Sequence, residues 1–180
     1  MFRRSRKKMM VLALDLSTKS SGWAVYENQK LFSHGCITAS STNLYKRIHK
    51  MADGIEEILK SIKIDKAIIE EVVPEDIHNN QSVVKALLYL QGYITELLDK
   101  YNIEFQFYTA SQWRKKCGIH TGRGIKRESL KPKDIQFVQS QFGIKVNDDE
   151  ADAICIGFAA VGGIIKEPQI IVDDDGFEFA

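Results

Sequence analysis

The sequence predicts an α/β domain: a mixed five-stranded sheet, three antiparallel strands followed by two parallel ones, with helices on both faces. Three observations carry this. Short apolar runs bounded by turn residues come three in succession near the N-terminus. Helical and strand periods alternate afterwards, the pattern that lays parallel strands beside antiparallel ones. The chain has 180 residues, of which 44% are hydrophobic and 27% charged, enough for one domain with a real core.

Residues 9–16 and 21–27 read as buried strands, and 30–37 as a third, joined to the second by the tight turn in "ENQK". Over 42–62, Leu44, Ile48, Met51, Ile55, Ile58, Leu59 and Ile62 recur at helical spacing, with Ser41 or Thr42 placed to cap. "KAIIEEVV" is a short buried strand that runs into acids. "QSVVKALLYLQGYITELLDKY", residues 81–101, is a long helix with a broad apolar face. "IEFQFYT" is the fifth strand and "ASQWRKKC" a short capped helix. A glycine-rich basic loop follows, then a helix from about Pro132 to Phe142 and a last helix, "DEADAICIGFAAV". Residues 1–165 are expected to form the domain, with 1–8 a basic arm and 166–180 an acidic tail.

The net charge of +1 conceals an uneven distribution. Arg3, Arg4, Arg6, Lys7 and Lys8 crowd the first ten residues. Residues 111–133 hold Arg114, Lys115, Lys116, Arg123, Lys126, Arg127, Lys131 and Lys133 against Glu128 alone, while the last 35 residues carry nine acids against Lys166. Such polarity suits a polyanionic partner meeting one face. Cys36, Cys117 and Cys155 are odd in number and widely spaced, which predicts reduced thiols in a cytoplasm. No apolar run reaches the roughly 18 residues of a membrane span, and the basic start leads straight into Asp15, unlike a signal peptide.

Carboxylates fall where core elements end. In "VLALDLSTKSSGWAVYE", Asp15 closes an apolar strand before a Ser/Thr turn. Glu70 and Glu71 close "AIIEE". Asp149 and Asp152 share one face at the start of the last helix, as would Asp148 and Asp152. A carboxylate at the end of a buried strand is costly without a partner, and oxygen ligands of this kind suit hard divalent cations. With the first strand central, these acids meet at one point.

These residues bring a family into view. "LALDLSTKSSGWAV", "AIIEEV" and "DDEADAICIGFAA" together resemble the RuvC family of Holliday-junction resolvases, which have the ribonuclease H-like fold. The resemblance runs from about residue 10 to residue 161. It implies a homodimeric endonuclease that nicks opposed strands of a four-way DNA junction and depends on Mg²⁺ or Mn²⁺, two ions per site. The ligand set falls on Asp15, Glu70, Asp149 and Asp152. A family lysine is replaced by Arg114, and a second, catalytic one is matched by Lys133, with Lys131 the alternate. The basic residues from Arg114 to Lys133 would hold the DNA backbone. The long helix would supply the dimer interface through Val84, Leu87, Leu88, Tyr89 and Ile94. Two departures stand out: Val73 occupies the place of a family aromatic, and the loop 118–131 is longer and more basic than usual, as in phage-type members.

Other readings make different demands. Actin-like ATPases and sugar kinases share the first motif but need a second lobe that this chain has no room for. A ribonuclease H-like nuclease for other branched nucleic acids, or a binder that does not cut, keeps the same surface. "DEAD" at residues 149–152 is no helicase motif, since no GxxxxGK[ST] accompanies it.

Overall fold

A computed structural model describes residues 8–73, 81–122, 125 and 127–163, except the side chains of Arg127 and Glu128. The elements are β1 (Met10–Asp15), β2 (Ser20–Glu27), β3 (Lys30–Thr38), α1 (Leu44–Ser61), β4 (Lys66–Glu70), α2 (Gln81–Lys100), β5 (Glu104–Tyr108), α3 (Ala110–Lys116), α4 (Arg127–Phe142) and α5 (Asp148–Ala160). The sheet order is β3-β2-β1-β4-β5. β1 pairs antiparallel with β2 and parallel with β4, β2 antiparallel with β3, and β4 parallel with β5. This is the mixed sheet the sequence predicts, with β1 at its centre.

Strand alternation divides the apolar residues between two cores. Val11, Ala13, Ala24, Tyr26 and Ile68 face α3, α4 and α5, meeting Trp113, Phe137, Val138 and Ile154. Leu12, Leu14, Val25, Ala67 and Ile69 face α1 and α2, meeting Met51, Ile55, Leu90, Ile94 and Leu98. β1 is therefore apolar on both faces, as a central strand with helices on either side must be. α1 and α2 are tied along their exposed seam by Glu56, which takes Lys100 and the Tyr101 hydroxyl, each at 3.0 Å.

Element ends differ from expectation in three informative places. Asn43, rather than Ser41 or Thr42, caps α1, its side chain accepting from the Lys46 amide. β4 stops at Glu70 instead of running to Val73, with the Glu71 amide making one further bond to Tyr108. α4 begins at Arg127, so Pro132 lies inside it instead of opening it. The proline costs the helix one backbone bond, and the earlier start brings Lys131 into the helix. The two-residue hairpin turn is as expected, with Asn28 at φ 55°, a value asparagine tolerates better than most residues.

α5 lies unusually close to the sheet. A β-carbon on Gly22 would stand 1.9 Å from the Asp149 carbonyl oxygen, and one on Gly157 2.4 Å from the Tyr26 ring. The Tyr26 hydroxyl donates to the Ile154 carbonyl at 2.8 Å, fixing the helix along its length. Gly22→Ala should therefore drive the first turn of α5 off β2. Overpacking of this kind costs about 1–3 kcal/mol, so the melting temperature is expected to fall by roughly 3–9 °C. A melting temperature within about 2 °C of the parent would show that the helix start yields freely.

The basic arm before Lys8 and the tail after residue 163 lie outside the described residues, as do Arg123 and Lys126. No helix among the described residues is long and apolar enough to cross a membrane.

Candidate active site

The acids gather because of strand register. β1 and β4 run parallel with Leu14 beside Ile69, so Asp15 and Glu70 leave the sheet together at one edge. Asp15 pairs with Gly22 across β2, and the Asp149 backbone packs against Gly22. α5 thus delivers its first turn to the same edge, its start set by a capping box between Asn147 and Glu150. His34 on β3 holds the outer side of that turn, its Nδ1 standing 3.0 Å from a Glu150 oxygen.

Glu70, Asp149 and Asp148 have distinct holders. The Trp113 indole N–H donates to Glu70 at 2.9 Å. The Ser20 hydroxyl donates to Asp149 Oδ2 at 2.5 Å, with the Cys36 thiol beside it. Asp148 is turned the other way and pairs with Lys131, which keeps its carboxyl below the usual range. Asp149, one residue on, faces the β1–β2 turn. Asp15, at the end of β1, is half-buried.

Asp152 is the exception. It is 4% exposed, and its Oδ1 accepts no hydrogen bond among the described residues. Burial and the charges of Asp15 and Asp134 push its pKa up to about 9, Arg114 opposing and Glu70 adding to the rise. Its one cationic neighbour, Arg114, stands 3.7 Å from Oδ1 without hydrogen-bonding it, and a buried carboxylate so weakly compensated among other acids favours uptake of a proton or a cation. Among the described residues, no three His, Cys, Asp or Glu groups are drawn close enough to grip an ion as they stand. The donor set nevertheless fits a hard divalent cation, because it is all oxygen and leaves one buried acceptor open.

The basic residues do not all lie where the sequence suggests. Arg114 is 4% exposed, too buried for a contact with a DNA backbone. Its guanidinium makes a bidentate pair with Asp134, at 2.8 Å through the terminal nitrogen and 3.1–3.2 Å through Nε. It also stacks 4.1 Å over the Trp113 ring. Lys131 and Lys133, two apart on α4, point to opposite sides of the helix. Lys131 faces the acids, and Lys133 is exposed away from them. Lys131, the alternate the sequence offered, is therefore the lysine that stands beside the acids. Lys115 and Lys116 are exposed, and Lys116 lies 4.2 Å over the Tyr108 ring.

Of the interface candidates on α2, Val84 and Ile94 are buried in the protein's own core and Leu87 is half-buried. Leu88 and Tyr89 are exposed, as are Val83 and Tyr93, the latter with its ring 5.5 Å from that of His49 on α1. Ser20, Trp113 and Asp134 have no counterpart among the predicted site residues.

Comparison with known proteins identifies the family and the fold. The family described as crossover junction endodeoxyribonuclease RuvC matches residues 11–159. The chain belongs to the RuvC family. A crossover junction endodeoxyribonuclease RuvC of Ehrlichia ruminantium is 28% identical over 158 residues, covering 82% of this chain and 95% of the relative. In fold, the chain resembles Thermus thermophilus RuvC, solved in complex with a Holliday junction substrate. The TM-score is 0.70 at 13% identity, over 86% of this chain and 94% of that one. It also resembles the fowlpox virus resolvase, solved with substrate Holliday junction DNA. There the TM-score is 0.54 at 15% identity, over 85% and 97%. The fold is thus ribonuclease H-like, and RuvC enzymes are metal-dependent nucleases. The matched span takes in all four acids of the sheet edge.

Proposed function

We propose that this RuvC-family chain cuts four-way DNA junctions by metal-dependent phosphodiester hydrolysis at Asp15, Glu70, Asp149 and Asp152. The observation that carries the reading is the open, buried oxygen of Asp152 among acids that share one sheet edge. The four carboxylates are the residues that would hold the metal, and Mg²⁺ or Mn²⁺, two per site, suits their chemistry. Bound there, such ions supply an activated water and offset charge on the reacting phosphate. Ser20 and Trp113 orient Asp149 and Glu70, so neither ligand has to be ordered when substrate arrives.

Lys131 is the cation best placed to meet substrate, since it already spans from α4 to the acidic first turn of α5. Lys115, Lys116 and Lys133 are exposed and available to the DNA backbone; Arg123, Lys126 and the Arg127 side chain, expected in the same role, lie outside the described residues. Arg114 is too buried to join them. A homodimer sets the spacing of paired nicks, its contact built on Leu87, Leu88 and Tyr89 together with Val83 and Tyr93. The unpaired cysteines suit a bacterial or infected-host cytoplasm.

The test is cleavage of a labelled synthetic four-way junction and of linear duplex, with Mg²⁺, Mn²⁺ or chelator. Paired nicks in the junction alone, only with metal, are expected. Asp15→Asn should abolish cutting and retain junction binding. Full activity in that variant would sink the ligand assignment, and binding without cleavage by the parent would make the chain a junction binder.

A further inference from the structure

The pair Arg114–Asp134 raises a question of its own, because a cation stands beside the acid that most needs one, in a long ion pair, and yet makes no hydrogen bond to it. The Arg114 terminal nitrogen is 3.7 Å from Asp152 Oδ1, beyond hydrogen-bond reach. The same nitrogen reaches Asp134 at 2.8 Å, and Nε adds contacts of 3.1 and 3.2 Å. Asp134 is fully buried, fixed on α4. The fork is thus spent on Asp134, which holds the guanidinium about 1 Å short of Asp152. The ring of Trp113 under the guanidinium blocks the other side.

We infer that Asp134 is a positioning residue: it restrains Arg114 from closing on Asp152 and so keeps the Asp152 carboxylate open for a metal ion. The inference rests on the metal-centre reading above. An arginine free to close on Asp152 would form a charge-assisted bond of its own and compete with any cation for the same oxygen. Restrained, it offsets part of the acidic charge without occupying the ligand. Asp134 follows from no feature of the basic run that precedes it, since its role depends on Arg114, twenty residues earlier.

The test is Mn²⁺ affinity, measured by calorimetric titration of full-length protein without DNA. The variants are Asp134→Asn, the double variant Arg114→Met with Asp134→Leu, and Asp152→Asn as the control for site binding. Asp134→Asn removes the restraining charge, and Mn²⁺ affinity is expected to fall about tenfold or more. The double variant removes competitor and restraint together, leaves the net charge unchanged, and should return affinity to within about threefold of the parent. A merely structural role for Asp134 would give no such recovery. Parental affinity in Asp134→Asn would overturn the inference while leaving the metal centre intact. Should Asp134→Asn fail to fold, a double variant as weak as Asp152→Asn would overturn it equally. A parent that binds no Mn²⁺ through Asp152 would overturn the metal centre and this inference with it.

Discussion

Asp152→Asn is expected to produce a protein that is more stable than the parent without metal and inactive with it. The carboxyl of Asp152 is buried, and its pKa is pushed up to about 9, mainly by burial and then by neighbouring acids. Unfolded, the same group ionises near pH 4. Between those values the folded state holds a proton that the unfolded state has released, so metal-free stability falls as pH rises. The slope has an upper limit of about 1.4 kcal/mol per pH unit for one proton. Asparagine carries no charge at any of these pH values, so the variant should lose that slope and melt higher than the parent at pH 8. Added Mn²⁺ should stabilise the parent and leave the variant unmoved. Cleavage should drop by about 10³-fold or more, since metal-borne charge stabilisation amounts to several kcal/mol. Melting curves at pH 6 and 8, with and without Mn²⁺, decide the matter. A variant less stable than the parent at pH 8 would show that Asp152 is satisfied by a partner other than a cation or proton.

The second large effect is expected from the outer face of α2. Leu88 and Tyr89 are 47% and 44% exposed and leave the protein's own core untouched. Replacing both by glutamate should alter protomer stability by no more than about 0.5 kcal/mol. Across a two-fold interface the same change places four charges on the contact. At about 2 kcal/mol or more for a central apolar side chain, dimer affinity should weaken by at least about 10³-fold. Light scattering coupled to size exclusion would then report a monomer, and junctions would receive unpaired nicks. A double variant that remains dimeric and makes paired nicks would place the subunit contact elsewhere.

What the sequence made legible follows local chemistry, and what it hid depends on distant partners. Asp15 and Glu70 could be read because each interrupts an apolar strand, and strand order alone brings them together. Asp149 and Asp152 could be read from helical spacing, although spacing could not separate Asp149 from Asp148. The choice lies with Ser20, which meets Asp149, and Lys131, which meets Asp148. Arg114 was misread because a charged residue in a basic run is exposed unless something buried neutralises it, and Asp134 belongs to another helix. Lys133 was preferred to Lys131 because Pro132 reads as the first residue of a helix. With the helix starting at Arg127, Lys131 shares a face with Asp134 and points at the acids. Val84 and Ile94 were offered to a partner because α2 is apolar over more than one face, and only packing shows which face its own sheet takes.

The two cores on opposite sides of the sheet have a practical consequence. The acids are held by α3 and α5, whereas the outward apolar residues belong to α2 on the other side. On the proposed function, assembly and bond-breaking could therefore be redesigned independently. Complementary charges placed at Leu88 and Tyr89 of two different copies would pair them obligatorily, and one copy could carry Asp15→Asn. On that proposal, the product would be a single-strand nickase for branched DNA.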